Sequence, residues 1–453
     1  MCSKENHTHR GTVWLAGGVA LLVLLFLQAA ALDLGSAAAR LAVGAVLCLL
    51  AVLALFMLNL SRESADRLSV LFFPIALALF IRIFLMDHQT LDYLDFLAHW
   101  AAFFRENGGF AALGEPIGNY NVPYLYFLAL ISYLDIPDLY LIKLFSVLFD
   151  VLLAWAGWRL VRLLTSPESV KPAVAFCLLL VMPTALLNGA YWAQCDSLYA
   201  ALCLHALASG LERKPVSSVL LLSLAFSFKL QSIFLVPVWC ILWYSGRVKF
   251  RHLLLFPVGY LATALPAMAA GRSLWSILSI YLEQTGYYSS LTLNAPSVYA
   301  LIPYGVLVNE DLAAKLGILA AFALVLALLG ALFFFRKKLS DKAVLLAAAA
   351  MALGVPLFLP HMHDRYFFLA DAMTLALAVL WPRRHAVTAL LVQVASLGAY
   401  HAYLVLRYAF PMGWGALMDL AALVLILADL ARELVPPPTA RRSSPKTVKK
   451  RRR

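Results

Sequence analysis

Charge is what this 453-residue chain has least of: Asp, Glu, Lys and Arg together make up only 13% of it. A soluble domain carries about twice that share. The scarcity excludes a water-soluble globular protein, because 63% hydrophobic residues exceed what one core can hide. Cysteine chemistry is also thin. The six cysteines are Cys2, Cys48, Cys177, Cys195, Cys203 and Cys240, without a CxxC pair or a Cys/His zinc spacing. Neither a disulfide framework nor a structural metal follows, and most of these thiols sit in apolar runs as small hydrophobes. No soluble linker or second domain breaks the pattern, and the first apolar run lacks a clear small-residue cleavage site.

What is there is a succession of long apolar runs. Residues 13–32, 41–58, 316–335 and 343–359 approach or exceed the roughly 20 residues that cross a hydrocarbon core. The expectation is an all-α integral membrane protein of about 13–14 transmembrane helices. The net charge of +12 does not point to nucleic acid. Much of it lies in residues 441–453, behind Pro436, Pro437 and Pro438, with no aromatic platform beside it. That segment, 433–453, reads as a basic cytoplasmic tail that touches anionic lipid headgroups.

The short basic connections at 62–67, 159–171, 213–214, 247–251, 336–342 and 383–384 set the orientation. Placing all of them with the tail in the cytoplasm predicts spans near 13–32, 38–60, 68–86, 139–163, 172–190, 196–211, 216–230, 232–245, 252–271, 312–335, 342–360, 366–382, 386–406 and 412–432. Residues 124–134 are apolar but too short to cross, and read as re-entrant or interfacial. The pair 216–230 and 232–245 is also short. Acidic, amide, aromatic and histidine residues then gather on the external side, in two long loops at 87–121 and 272–311 and in short polar turns.

Four constellations stand out there. In the first, Asp87, Asp92 and Asp95 sit just past the third span, and from Leu91 to Phe104 the apolar residues Leu94, Leu97, Ala98, Ala101 and Phe104 recur at helical spacing, which predicts a surface helix ended by Asn107-Gly108-Gly109. On spacing alone, capping that helix is the simpler role for Asp92. In the second, Gln194 and Asp196 follow Trp192; Asp196 fits a helix start and a sugar site equally. In the third, Lys229 and Gln231 interrupt apolar segments. A lysine at membrane depth demands a partner or a ligand, unless it snorkels to the headgroups. The fourth is His361-Met362-His363-Asp364-Arg365-Tyr366, where His363 exchanges protons near neutral pH and Arg365 suits phosphate. The alternative is a capping turn with a lipid-facing arginine. Lys143 and Asp150, seven residues apart on one helix face, read as a structural polar network.

These segments, in this order, resemble the GT-C superfamily of membrane glycosyltransferases, and within it the bacterial family related to the second mannosyltransferase of GPI-anchor synthesis. The resemblance rests on LDYLDFLAHW (91–100), ENGGFAALG (106–114), YNVPYLYFLALISYL (120–134), LYLIKLFSVLFD (139–150), YWAQCDSLYAA (191–201), FKLQSIFLVP (228–237), SLTLNAPSVYAL (290–301) and HMHDRYFF (361–368). It implies a GT-C-like domain over 67–432 behind two extra helices in 1–66. It implies transfer of a hexose, mannose by default, from a polyprenyl-phosphate sugar to an extracytoplasmic acceptor, at a bacterial inner membrane. The acceptor is a glycan, lipid or protein. Asp92 would be catalytic, and Lys229 and Arg365 would hold the donor phosphate. Asp95, Tyr120, Trp192, Gln194, Asp196, Asn294, Tyr299 and His363 would bind sugar or acceptor. One base acting once inverts the anomeric centre. No cofactor is expected, and metal is needed weakly or not at all, since Lys and Arg supply positive charge and no ligand spacing supports one. Two departures are His99, where the family often has Pro before Trp, and Asp364, where it often has Glu.

A transporter or flippase of lipid-linked saccharides would share the many spans, but no convincing internal repeat is present. A structural scaffold would not need ionisable groups clustered on one face. The topology gives a direct expectation. A cysteine placed at position 95 labels from outside intact cells, and one at position 383 labels only after permeabilisation; cytoplasmic labelling at 95 would overturn the orientation.

Overall fold

The computed structural model describes residues 2–285, 289–303 and 305–435. The tail expected over 433–453 lies outside them beyond Val435. The chain is 76% helical with almost no strand, so the all-α class is as expected. An opening group comprises α1 (Cys2–Ala29), α2 (Ala37–Leu60) and α3 (Ala65–Ile83), with α1 lying along α3. The first long loop holds α4 (Ala98–Glu106) and α5 (Val122–Ile131). Then come α6 (Asp138–Leu163), α7 (Lys171–Leu180), the single turn α8 (Pro183–Ala185), α9 (Asp196–Leu211), α10 (Pro215–Phe228) and α11 (Val238–Tyr244). Short α12 (Phe250–Leu253) runs into α13 (Leu255–Ala269), and α14 (Leu274–Thr285) lies in the second long loop. The chain finishes with α15 (Glu310–Phe334), α16 (Asp341–Phe358), α17 (Phe368–Leu380), α18 (Pro382–Leu404) and α19 (Met412–Leu434).

Among the described residues nine helical segments are long and apolar enough to cross a membrane, with α5, α10 and α17 shorter apolar helices beside them. The protein is therefore a multi-pass membrane protein. The span expected over 232–245 is instead a 3₁₀ turn, Leu230–Phe234, followed by the seven-residue α11. At 1.5 Å per residue α11 reaches only about 10 Å. Starts are set by side-chain caps: Ser36, Ser64, Asn309 and Ser340 each accept a first-turn backbone N–H.

Burial sorts the helices into layers. The most apolar stretch of α16 is 83% buried, whereas those of α1 and α15 are 17% and 22% buried. Helices apolar on every side belong in a core or against lipid. Here α6, α9, α16 and α17 fill the centre, and α1, α13 and α15 turn Leu, Val and Phe outward. At one end the basic connections meet their acceptors: Arg67 donates to the Glu168 and Ser169 carbonyls, Arg247 pairs with Asp341, and Lys342 and Arg384 pair with Asp429.

Two buried cations fix the entrance to the first long loop. Arg82 donates to Asp150 at 2.8 and 3.0 Å and to the Ala78 and Leu180 carbonyls, with both side chains fully buried. The Ser197 hydroxyl donates to the other Asp150 oxygen. Lys143 donates to the carbonyls of Leu85, Met86 and His88 at 3.0, 2.9 and 2.6 Å. Those carbonyls follow α3, where a helix end leaves acceptors without partners. Lys143 and Asp150 thus share a helix face but serve different partners. At the same end β1 (Thr292–Leu293) pairs in parallel with β2 (Met362–His363) and joins the second loop to the histidine-rich turn.

Removing one partner of a buried pair leaves the other charge uncompensated. Asp150→Ala should cost about 3–5 kcal/mol, whereas Arg82→Met with Asp150→Leu should restore much of the loss. Thermal unfolding of the three variants in detergent checks this; equal loss in the double variant would refute it.

Candidate active site

The residues that the sequence singled out one by one converge at the end of the bundle away from the basic connections. The helix after residue 90 opens as a π-helical turn, Tyr93–Leu97, before α4. Thr90 does the local capping: its hydroxyl oxygen accepts the Tyr93 N–H at 3.4 Å, and its O–H donates to the Trp192 carbonyl at 3.1 Å. Asp92 makes no capping bond. Its carboxylate instead points across the bundle. Oδ2 accepts from Trp192 Nε1 at 2.9 Å, Gln194 Nε2 at 3.0 Å and an Arg365 Nη1 at 3.2 Å, and Oδ1 accepts from the Tyr403 hydroxyl at 2.7 Å. An ionised carboxylate offers about four lone-pair directions. The crowding falls on Oδ2, so Oδ1 keeps one direction for a further donor.

Asp196, the first residue of α9, is fully buried. One oxygen takes the Lys229 ammonium, and the other accepts from Asn188 at 2.7 Å, with Arg365 Nε 3.7 Å away. Arg365 therefore stands between two carboxylates, its guanidinium 5.3 Å from the Trp192 ring centre. That indole also stacks on Tyr403 at 4.6 Å and meets Tyr400 edge-on at 5.2 Å. Nε of Arg365 is buried without a hydrogen-bond partner. Tyr120 donates to the Gln194 side-chain oxygen at 3.1 Å, and Lys229 Nζ lies 5.8 Å from the Tyr120 ring centre.

Asp92, Tyr120, Gln194, Lys229, His363 and Arg365 all line one cavity of about 510 Å³. Phe228, Leu230, Ile233, Phe234, Ile318 and Leu359 give it an apolar flank, and Asn119, Gln231, Gln284 and His361 add further polar groups. Backbone strain surrounds it: Ala193, Asn294 and His361 hold φ of 65°, 57° and 62°. Non-glycine residues in the left-handed region cost free energy and concentrate at functional sites. Gly118, at φ 63°, has the Trp100 ring 2.5 Å from where a Cβ would stand, so only glycine lets the Tyr120 loop close onto α4.

Five expected site residues are placed otherwise. Asp196 is fully buried, held by Lys229 and Asn188, and lines no wall of the cavity. Asp95 is exposed and lines no wall of the cavity, because the π turn sends it outward as Asp92 turns in. Trp192 is fully buried and offers no ring face to the cavity; it binds Asp92 instead. Tyr299 is buried, donating to the Phe358 carbonyl at 3.0 Å. Asn294 accepts from Tyr408 at 2.5 Å, and with Tyr299 it belongs to a second, more open cavity of about 1060 Å³. The sequence reading missed Tyr403 and Asn188. Tyr400, His401 and Tyr403 near the end of α18 were the available signal, hidden because aromatics there also suit a membrane interface.

Among the described residues no group of three or more His, Cys, Asp and Glu side chains is arranged to hold a metal ion. In comparison with known proteins, no family model and no curated sequence matches the chain.

Two neighbours in the turn titrate in opposite senses. Burial raises the Asp364 carboxyl to about 7, with Arg365 opposing. Burial and then the Arg365 charge lower His363 to about 3. The fold holds the Asp364 proton that the unfolded chain loses near pH 4, so this group makes stability fall from about pH 4 to 7. It keeps His363 neutral where the unfolded chain binds a proton, so this group makes stability rise from about pH 3 to 6.5. Their slopes oppose each other. Asp364→Asn should expose the rising slope below pH 6.5, read from melting temperatures between pH 4.5 and 6.5; an unchanged pH profile would refute the assignment.

Proposed function

We propose that this protein is a GT-C-type glycosyltransferase of about 13–14 transmembrane helices that moves a hexose from a polyprenyl-phosphate sugar to an acceptor hydroxyl. The observation that carries the reading is the Asp92 carboxylate, which lines a cavity with two cations beside it and a largely apolar flank. Transfer from a phosphate-linked sugar needs those three things: a proton acceptor, positive charge for the leaving group, and a surface for the lipid. The resemblance of the sequence segments supports the same class and makes mannose the default sugar. On the topology derived from the basic connections, the reaction takes place on the extracytoplasmic face of a bacterial inner membrane. The acceptor is a glycan, lipid or protein.

The reaction follows from the roles open to these atoms. Asp92 Oδ1 accepts the proton of the acceptor hydroxyl as the oxygen attacks the anomeric carbon. The bond from that carbon to the phosphate oxygen breaks, and its electron pair leaves with the phosphate. One displacement inverts the centre. Charge bookkeeping at Arg365 couples the two events. Beforehand, Asp92 neutralises the guanidinium at 3.2 Å. Once Asp92 is protonated, that positive charge is released toward the leaving phosphate as its second negative charge develops. Lys229 supplies a second cation, held by Asp196. The prenyl tail lies along Phe228, Ile233, Phe234 and Ile318, where Ile233 is 45% exposed. The charge on Lys229 and Arg365 lets the step proceed without a metal.

Asp92→Asn keeps the size of the side chain and one carbonyl oxygen for Tyr403, but removes the proton acceptor. Release of polyprenyl phosphate from a radiolabelled donor should fall by about a hundredfold or more with the protein still folded. Asp95→Asn, on the exposed face, should retain activity. Full turnover in Asp92→Asn would overturn the proposal, and loss in Asp95→Asn alone would move the base there.

A further inference from the structure

Gln231 lines the same cavity as Asp92, Lys229 and Arg365 but has no part in the transfer step as derived above. It lies in the 3₁₀ turn Leu230–Phe234, between apolar neighbours on either side. The residue is only 6% exposed, and its Oε1 is buried with no hydrogen-bond partner among the described residues. Of the described residues that line the cavity, two leave a buried side-chain atom unpaired in this way: Gln231 Oε1, an acceptor, and Arg365 Nε, a donor. The neighbouring amides are already engaged. Gln194 donates to Asp92 and accepts from Tyr120, and Gln284 donates to the Asn119 carbonyl.

The turn that carries Gln231 is fixed at both ends. α10 stops at Phe228, Lys229 is extended at φ −151°, and the Lys229 ammonium is tied to Asp196. The Ser232 hydroxyl donates back to the Lys229 carbonyl at 2.6 Å, and the Leu235 N–H donates to the Ser232 carbonyl at 3.1 Å. An amide oxygen buried without a donor costs free energy that a leucine or methionine in its place would not incur. The torsion that carries the amide is broad, so the oxygen turns toward the cavity without moving the turn. Water meets it there until a ligand fills the space. From then on the donor must come from the ligand.

Chemistry then selects the part of the ligand. A prenyl chain has no polar hydrogen. An ionised phosphate ester offers only acceptor oxygens, which repel an amide oxygen. A sugar hydroxyl supplies the O–H, and its own lone pairs suit the amide nitrogen beside it. We infer that Gln231 binds a hydroxyl of the transferred hexose and takes part in choosing the sugar. The inference rests on the glycosyltransferase reading. A donor phosphate at Lys229 brings its sugar, one bond away, beside the turn that Lys229 opens. Hexoses differ in the axial or equatorial setting of single hydroxyls, and a buried polar group that must be paired rejects the analogue that cannot pair it.

The test is donor binding to the full-length protein in detergent, which needs no acceptor. The probes are polyprenyl-phosphate mannose, glucose and galactose, and the four monodeoxy analogues of the tightest-bound sugar. In the wild type, one deoxy analogue should bind more weakly than its parent by about fivefold to a hundredfold. Gln231→Met keeps the volume and removes the acceptor. It should weaken the parent donor by a similar factor and bind that analogue and the parent about equally. Its melting temperature should hold or rise, because no internal hydrogen bond to Oε1 is lost. Unchanged affinity for the parent, or an equal loss for the parent and all four analogues, overturns the inference. A melting temperature lowered by about 5 °C or more would make the amide structural and overturns it too. These outcomes leave the glycosyltransferase reading standing. A wild type that binds none of the three donors would sink that reading and the inference together.

Discussion

Arg365 brings a full positive charge into a nearly dry site, and the carboxylates that neutralise it come from far away in the chain. Asp92 lies 273 residues before it, and Asp196 opens a helix in the middle of the bundle. Breaking a pair of this kind costs several kcal/mol, because the remaining charge has neither water nor partner. The cluster therefore constrains much of the fold. The first long loop must bend inward, the turn before α9 must present Trp192 and Gln194 together, and the strand pair β1–β2 must hold the histidine-rich turn in place. Lys143 serves the same end from below, by gathering the carbonyls that start the loop. The charges that position the site are also those available for chemistry.

Most of the bundle was legible in the sequence because hydrophobic length and basic connections are strong signals. The helices at 37–60, 138–163, 310–334 and 412–434 fall within a few residues of where apolar runs placed them. The region 228–245 was harder. Apolar composition there says only that the segment is out of water, and Lys229, Pro237 and the 3₁₀ turn decide that it does not form one long helix. The π turns at 93–97 and 186–191 were invisible, since one extra residue per turn leaves no compositional trace. Yet those turns set which side chains face the cavity, and they explain why Asp92 points inward and Asp95 outward.

At the site, the polar residues within an apolar background were found by their expense alone. Asp92, Tyr120, Gln194, Lys229, His363 and Arg365 share one cavity because a charge at that depth needs company. Pairwise partners were not legible. Spacing put Lys143 with Asp150, whereas Arg82 is the true partner, 68 residues before Asp150. Asp92 read first as a cap, because local sequence cannot reveal that Thr90 takes that task. Tyr403 was missed for the converse reason: a tyrosine near a helix end has an ordinary interfacial explanation, and only the tertiary structure brings it to 2.7 Å from Asp92.

That contact also sets an order in time. Tyr403 enters the chain 311 residues after the carboxylate it binds. At ribosomal rates of about 5–20 residues per second, the wait is roughly 15–60 s. During that interval the ribosome delivers helix after helix to the bilayer while Asp92 has no hydroxyl partner from α18. Trp192 and Gln194 reach it first, Arg365 much later and Tyr403 last. The site is thus completed only once α18 has left the ribosome, so a nascent chain stalled before α18 carries the cavity walls without the finished carboxylate.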